Sequence, residues 1–306
     1  MILLTGGGGF VGRKLLEALQ GLYGEVLPVF RSDCYSNQKE YIQLDLTSIK
    51  HLEQLKQRKD HPDTVVHFAG LVDIHLLPNQ TNPTLAPVPA NKDIASLYMA
   101  NTISTANLLE YCLAAGVKHL IYASSQTVYG LPKTQVIQEE TLCEPLEHYA
   151  VSKYCAEQLL KTGSKQDLAV TCLRFPGIYG EGRKSGMVYK LCEAAVKRKE
   201  IKVEFSMPLP LDVLHIEDVI EAVQKAVVHG GSGWTCLNIS TGEPCNILLL
   251  AQRIASLMKD CKVIDASVEQ PVIQLDNSRA KEVLGWSPWP MNKRLVNMLE
   301  SVENEA

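Results

Sequence analysis

The stretch TGGGGFVG, residues 5–12, constrains the fold of this 306-residue chain more than any other part of the sequence. It matches the pattern TGxxGxxG and lies between a short apolar segment, residues 1–4, and residues 10–22, whose apolar side chains recur at helical spacing. Glycines in such a turn let a pyrophosphate approach the backbone, and the helix N-terminus offers it N–H groups and a positive dipole. A purely structural glycine turn is the alternative. The context favours a dinucleotide-binding site formed by Gly6, Gly9, Phe10, Val11 and Gly12.

Predicted strands and helices alternate along the first 176 residues. After the first strand and helix, we predict strands at residues 25–30, 41–44, 64–68, 118–123 and 169–174, and helices at 49–57, 93–115 and 148–162. This alternation indicates an α/β fold with a parallel sheet that is covered on both faces. Pro28 lies inside the second strand, where proline is unfavourable if the strand is central.

The pattern changes after Gly177. Helices are predicted at residues 187–199, 217–229, 247–259 and 278–284, with one possible strand at 237–239. We therefore predict a dinucleotide-binding domain over residues 1–176, which also includes part of 208–235. A smaller α+β substrate-binding cap domain would cover most of residues 177–306, interleaved with the first domain.

Charge and composition narrow the classes of partner. The net charge of −4 gives no electrostatic basis for binding nucleic acid or an anionic membrane, and no apolar run approaches the ~20 residues of a membrane span. The N-terminus shows no basic leader, and the nine cysteines have no spacing typical of a metal site. We expect a cytoplasmic protein that acts on a small molecule, with no metal, membrane or nucleic-acid partner.

The end of the second predicted strand bears on which dinucleotide is bound. NAD sites usually carry Asp or Glu there, for the ribose 2′-hydroxyl. This chain has Arg31, whose planar guanidinium can pair with the 2′-phosphate of NADP. A solvated surface arginine is the alternative, and the nearby Asp33 keeps NAD possible. We predict NADP as the preferred cofactor, with NAD as the second choice.

Two further segments place reactive side chains near one end of the predicted sheet. SSQTVYG, residues 124–130, ends a predicted strand, and YAVSK, residues 149–153, starts a predicted helix. Tyr149 and Lys153 are four residues apart and share one helix face. A cation beside a phenol lowers the pKa of that phenol, which could then exchange a proton with a substrate near neutral pH. Because ligands gather at the carboxyl ends of parallel strands, Ser125 and Tyr149 are expected to meet there.

These ordered motifs resemble the extended short-chain dehydrogenase/reductase family, in its NAD-dependent epimerase/dehydratase group. The other matching segments are Asp45-Leu46, HFAG (67–70), Asn101, LRFPGIYGEG (173–182), HIEDV (215–219) and LDNSRAKEVLGWSP (275–288). The resemblance runs almost end to end. It implies a Rossmann-type doubly wound parallel sheet with a smaller cap.

The resemblance also implies roles by position. Tyr149 would be the acid/base, Lys153 would hold the nicotinamide ribose and tune Tyr149, and Ser125 would hydrogen-bond the reacting oxygen. Asn101 would order the central helix, with an ordinary helix-surface amide as the alternative. The remaining cofactor residues would be Asp45 and Leu46 at the adenine, Ala69 and Gly70 in the cleft, Ser124 in support, and Pro176 and Ile178 at the nicotinamide. The family commonly forms homodimers through the helices predicted at 93–115 and 148–162.

Several positions depart from the family pattern. The dehydratases have an Asp-Glu pair where this chain has Gln126 and Thr127, which argues against elimination chemistry. Nucleotide-sugar epimerases usually have Asn where this chain has Gly177, and an arginine that grips the substrate diphosphate where it has Leu211. Arg183 or Lys184 could replace that arginine; the alternative is that both belong to a solvated basic loop.

The proline-rich segment 71–92, which contains His75, is either a lid over the site or a surface insertion. The main hypothesis is an NADP-preferring oxidoreductase that moves a hydride between the nicotinamide and a secondary alcohol or ketone. The alternatives are a nucleotide-sugar epimerase and a non-catalytic dinucleotide-binding sensor. The Ser125, Tyr149 and Lys153 set argues against the sensor.

Overall fold

The computed structural model describes residues 1–31, 40–72, 93–164, 167–203, 211–265 and 272–305. The strands are β1 (Ile2–Thr5), β2 (Val26–Phe30), β3 (Ile42–Gln43), β4 (Thr64–His67), β5 (His119–Ser125), β6 (Val136–Ile137), β7 (Ala169–Phe175), β8 (Gly177–Tyr179), β9 (Glu200–Val203), β10 (Val213–His215), β11 (Trp234–Asn238), β12 (Lys262–Asp265) and β13 (Gln274–Leu275). The helices are α1 (Phe10–Tyr23), α2 (Ile49–Lys56), α3 (Ile94–Tyr98), α4 (Ser104–Ala115), α5 (His148–Gly163), α6 (Met187–Arg198), α7 (Ile216–His229), α8 (Ile247–Ser256), α9 (Ser278–Leu284) and α10 (Met291–Asn304).

Seven of these strands form one parallel sheet, in the order β11-β7-β5-β4-β1-β2-β3. Consecutive side chains of a strand point to opposite faces, so Leu3 and Leu4 of β1 enter different cores. One core lies under α1 and α7, and the other lies under α2, α4 and α5. Helices cover both faces, and the predicted Rossmann-type doubly wound α/β fold is confirmed.

The position of Pro28 explains how a proline is tolerated within this sheet. Leu44 N donates to Phe30 O at 2.8 Å, so Phe30 directs its backbone polar groups toward β3. Backbone direction alternates along a strand, and the nitrogen of Pro28 therefore points to the same side. β3 first pairs opposite Val29, so it does not reach far enough to need a donor from Pro28.

The chain after β7 contributes to two regions. α6, α8 and α10 pack around a separate core with β9, β10 and β12. In contrast, α7 packs on α1, and β11 joins the main sheet beside β7. The strand predicted at 237–239 thus belongs to the large sheet, and the chain returns to it after β8. The division into two domains at residue 176 stays a prediction.

The helix predicted over residues 93–115 is present, and it runs without a break from Ile94 to Ala115. Its N-cap is Asp93, which accepts a hydrogen bond from Ser96 N at 2.6 Å. A π-helical turn (Met99–Ile103) then joins α3 to α4. Such turns often occur at functional sites, and this one contains Asn101. Among the described helices, none has both the length and the apolar character needed to cross a membrane.

Candidate active site

The glycine turn joins β1 to α1 with almost no space for side chains. A Cβ added to Gly12 would lie 2.0 Å from Gly6 O, and one added to Gly6 would lie 2.5 Å from Ala69 N. Gly6 has a φ of +78°, which favours glycine. Helix α1 begins after Gly9, which has no side chain to cap the first turn. The turn therefore presents backbone N–H groups to an anion, as a dinucleotide pyrophosphate requires.

A chain of hydrogen bonds links the end of β1 to the end of β4 through a buried histidine. Thr105 Oγ1 donates to Asn101 O at 2.6 Å, so it accepts from His67 Nε2 at 3.0 Å. His67 Nδ1 then accepts from Thr5 Oγ1 at 2.6 Å, and Ala69 N donates to the same Thr5 oxygen at 3.3 Å. Burial, with the charge of Lys153, lowers the pKa of His67 to about 3. The neutral ring fixes the backbone that leads into the predicted cofactor cleft.

Asn101 occupies the interior of the site, and its interpretation as a surface amide is wrong. It is 1% exposed. Its Oδ1 accepts from Leu71 N at 2.8 Å, and its Nδ2 donates to Leu71 O and to Ser152 Oγ, each at 2.9 Å. A Cβ on Gly70 would lie 2.7 Å from Asn101 Oδ1. The side chain thus clamps the backbone after β4 against α5.

Ser125 and Tyr149 meet at the carboxyl end of β5. The Ser125 side chain lies near enough to the Tyr149 phenol to lower its pKa, where α5 packs on β5. The Ser125 hydroxyl accepts from Thr127 Oγ1 at 3.0 Å and from Thr127 N at 3.3 Å. Thr127 therefore orients Ser125, a role that the sequence analysis missed. A Thr two residues after the strand-end serine was the available signal, because such residues commonly form local turns.

The direction of the Tyr149 pKa differs from the sequence-based expectation. Burial raises the pKa of Tyr149 to about 12, and the nearby Ser125 side chain opposes this increase. The Lys153 ammonium lies 4.3 Å from the ring centroid of Tyr122, in a cation–π contact. Burial lowers the pKa of Lys153 to about 8. The predicted lowering of the Tyr149 pKa by Lys153 is wrong for this arrangement, because the loss of solvent around the phenol dominates.

A buried ionic network lies behind the catalytic segment. Arg174 donates to Glu157 through Nε at 3.0 Å and Nη2 at 2.7 Å, and through Nη1 to Tyr129 Oη at 2.9 Å. Tyr129 Oη donates to Asn238 Oδ1 at 2.6 Å. Ser124 Oγ donates to Glu157 at 2.5 Å, so the predicted cofactor-side role of Ser124 has no support from its side chain. Instead, this hydroxyl ties the strand before Ser125 to α5.

The predicted adenine side lies at the ends of β2 and β3. Asp45 Oδ1 accepts from Thr47 N at 2.9 Å and Thr47 Oγ1 at 2.8 Å. Burial opposes ionisation, but these bonds and the charge of Arg31 lower the pKa of Asp45 overall. Arg31 is exposed. Leu46 is buried, and its carbonyl accepts from Asn107 Nδ2 at 2.9 Å. The structure therefore brings Arg31 within electrostatic reach of the predicted adenine residues.

The predicted nicotinamide side is formed after β7. Pro176 is buried, and Ile178 is half-buried in β8, which pairs with β10. Gly177 N donates to Asp212 O at 3.1 Å, which holds the two strands together. Leu211 is 7% exposed and belongs to the core around α6, α8 and α10. That side chain is committed to packing and offers nothing to a charged ligand.

Two predicted features cannot be located. Asp33 and His75, together with most of the segment 71–92, lie outside the described residues. The lid and surface-insertion hypotheses for this segment therefore stay predictions.

Comparison with known proteins gives a consistent result. The family model described as NAD dependent epimerase/dehydratase family matches residues 2–239. The UDP-glucose 4-epimerase of Azospirillum brasilense is 24% identical, over 94% of this chain and 87% of its own. The GDP-6-deoxy-D-mannose reductase of Pseudomonas aeruginosa is 26% identical, over 94% of this chain and 91% of its own. The structure of MoeE5 in complex with UDP-glucuronic acid and NAD is 26% identical, with a TM-score of 0.79 and coverage of 100% of this chain and 99% of that one.

Proposed function

Because the chain belongs to the NAD-dependent epimerase/dehydratase family, whose members are enzymes, we propose that it transfers a hydride between a nicotinamide cofactor and a secondary alcohol or ketone. The observation that carries this proposal is the meeting of Ser125 and Tyr149 at the carboxyl end of β5, with Lys153 one turn further along α5. This edge of the sheet also carries the glycine turn. A phenol, a hydroxyl and a buried amine beside a dinucleotide turn suit proton exchange coupled to hydride transfer.

The residues present fit a dinucleotide, because Gly6 and Gly12 allow a tight turn in which no Cβ could fit, and this turn leads directly into the N-terminus of α1. When bound, the nicotinamide supplies or accepts the hydride. The residues proposed to hold the cofactor are Gly6, Gly9, Phe10, Val11 and Gly12 at the pyrophosphate, Arg31, Asp45 and Leu46 at the adenosine, Ala69 and Gly70 in the cleft, and Pro176, Ile178, Tyr149 and Lys153 at the nicotinamide end.

The protein's own part in the chemistry is the proton. Tyr149 would donate a proton to the oxygen of a ketone as it becomes an alcohol, and would accept it in reverse. Ser125, oriented by Thr127, would hydrogen-bond the same oxygen. Lys153 has a pKa of about 8 and is mostly protonated at neutral pH, and its ammonium would hold the nicotinamide ribose. At a Tyr149 pKa of about 12 the phenol is the resting form, which suits the reductive direction.

The two residues after Ser125 narrow the class of substrate. Gln126 carries a buried amide, and Thr127 carries a hydroxyl that donates to Ser125. Neither position therefore supplies a carboxylate for elimination. We therefore propose a carbonyl or carbinol carbon as the reacting centre. The names of the relatives favour a nucleotide-linked sugar as the molecule that carries this carbon.

Epimerisation is the second candidate. The UDP-glucose 4-epimerases among the relatives favour it, since that reaction would use the same hydride and proton transfers on both faces of one carbon. Against it stand Gly177 and the buried Leu211, both departures from the epimerase pattern. The two candidates differ in whether the cofactor is consumed.

One experiment separates them. The purified protein is incubated with UDP-glucose, UDP-galactose and GDP-linked 4-keto-6-deoxyhexoses, with NADH or NADPH, and absorbance at 340 nm and the sugar products are followed. Net oxidation of NADPH with formation of an alcohol supports the reductase. Interconversion of the two UDP-hexoses at constant absorbance, with NAD retained through purification, supports the epimerase. Binding of neither dinucleotide would contradict both.

Cofactor preference and assembly belong to the same proposal. Arg31 is exposed at the end of β2, where its guanidinium can meet a 2′-phosphate, so we propose NADP over NAD. We also propose a homodimer formed through the α3–α4 and α5 helices. Ile94, Met99 and Ile103 on this side are 52%, 42% and 41% exposed, an apolar surface that a second copy would cover.

A further inference from the structure

Arg183 lies in the loop after β8, between two parts of the proposed cofactor site. Its Nη1 donates to Ile178 O at 2.7 Å, and its guanidinium carbon lies 5.7 Å from the ring centroid of Phe10. Ile178 is on the proposed nicotinamide side, and Phe10 is the first residue of α1 after the glycine turn. The side chain thus crosses from the segment after β8 to the turn that would hold the pyrophosphate.

The charge of Arg183 has no acidic partner within the described part of the chain. None of the ion pairs there includes it, and the neighbouring Glu181 contacts His215 Nε2 at 3.2 Å instead. Its remaining side-chain contact is a long one, from Nε to Ser185 Oγ at 3.5 Å. Burial lowers the pKa of Arg183, so the loss of solvent acts against its charged form. A half-buried cation without a counter-ion is costly, and such groups are normally paired.

The neighbouring cation behaves differently. The side chain of Lys184 is 67% exposed and its Nζ lies 3.3 Å from Glu305 Oε2. It fits the solvated basic loop considered from the sequence. Lys184 is therefore a surface cation with an acidic partner, whereas Arg183 is half-buried and has no acidic partner among the described residues.

We propose that Arg183 binds a phosphate group of a diphosphate-bearing ligand in the cleft beside Phe10. Two positive features meet there, the guanidinium and the N-terminal end of α1, and both favour an anion. Leu211 is packed in the core and offers no charge to such a ligand. This inference rests on the proposed function for the kind of ligand, but not on any turnover.

The diphosphate has two possible sources, the cofactor and a nucleotide-linked substrate. Isothermal titration calorimetry with NAD and NADP reports on the first. Titration with UDP and GDP in the presence of saturating NAD reports on the second. Arg183→Gln removes both the charge and the bidentate hydrogen-bonding geometry of the guanidinium, whereas Arg183→Lys keeps the charge alone. Lys184→Gln is the matched control.

Loss of charge-assisted hydrogen bonds to a phosphate should weaken binding by about 10- to 100-fold in Arg183→Gln, and less in Arg183→Lys. A loss confined to NAD and NADP assigns Arg183 to the cofactor diphosphate, and a loss confined to UDP or GDP assigns it to the substrate. Lys184→Gln should stay within twofold of wild type throughout. Far-UV circular dichroism confirms that each variant is folded.

Arg183→Gln that binds all four probes within twofold of wild type overturns the inference. A wild-type protein that binds none of them contradicts the inference and the proposed function together. A third outcome separates the two proposals. If wild type binds dinucleotide normally, Arg183→Gln binds it more weakly and no sugar tested is turned over, the inference is upheld and the proposed function alone is contradicted.

Discussion

Breaking the buried pair of Arg174 and Glu157 should be one of the most destabilising single changes at the catalytic end of the sheet. The two side chains are 6% and 0% exposed and form a two-point contact at 3.0 and 2.7 Å. Replacing Glu157 with Met leaves the guanidinium buried without its counter-ion, which costs about 3–5 kcal/mol. At about 2 °C per kcal/mol for a chain of this size, the midpoint of thermal unfolding should fall by roughly 6–10 °C.

The assay is a double-mutant cycle by urea unfolding, with Glu157→Met, Arg174→Met and the double variant. Removing both charges together leaves neither of them unpaired, so the double variant should be more stable than the sum of the two losses predicts, by about 1–3 kcal/mol. Glu193→Gln is the matched control, since Glu193 pairs with Lys197 at 2.8 Å on the surface and should change stability by less than about 0.5 kcal/mol. Single variants that lose less than about 1 kcal/mol, or losses that simply add, would refute this reasoning.

Three further outcomes are expected. Gly12→Ala should abolish NADPH binding in a fluorescence titration, because the added Cβ would lie 2.0 Å from Gly6 O; Gly21→Ala, whose Cβ meets nothing within 4 Å, should bind normally. Equal binding by both variants would contradict the tight turn. The pKa of Lys153 falls from 10.5 to about 8 on folding, so the unfolded chain holds more protons between those values and the stability contributed by this residue rises with pH. Between pH 7 and 10.5 the free energy of unfolding of wild type should therefore increase relative to that of Lys153→Met, by an amount on the order of 3 kcal/mol. Parallel dependence of the two free energies on pH would contradict the burial of a charged amine. Met99→Asp places a charge on the proposed dimer surface and should yield monomers in sedimentation velocity at concentrations where wild type is dimeric; an unchanged dimer would exclude that surface.

Much of the fold could be predicted because local patterns determine it. The glycine turn has few structural alternatives, and the alternation of strands with helices leads to a parallel sheet. The uncertain position was Pro28, whose tolerance depends on how far β3 extends, and this is a property of the sheet rather than of the segment. The place of β11 beside β7 depends on long-range pairing in the same way.

The candidate site could be predicted less completely, since several of its features depend on residues far apart in the chain. The spacing of Tyr149 and Lys153 gave their shared helix face but not their burial, which reverses the expected direction of the Tyr149 pKa. The sequence left Asn101 open to interpretation as a surface amide, because only the folded chain encloses it between Leu71 and α5.

The contacts behind the site were equally hard to predict from the sequence. The Arg174–Glu157 pair joins β7 to α5 across 17 positions. The packing of Leu211 follows from a core that combines α6 with the later helices α8 and α10. No local sequence pattern predicts either of these contacts.

The central claim is that Tyr149 carries the proton that accompanies hydride transfer. The most direct test is Tyr149→Phe, with the dissociation constant for NADPH and the turnover of the best wild-type substrate measured on the same preparation. Removing only the hydroxyl should leave cofactor binding within about threefold and reduce turnover by about 10²- to 10⁴-fold. Turnover within twofold of wild type, with the cofactor bound normally, would contradict the account.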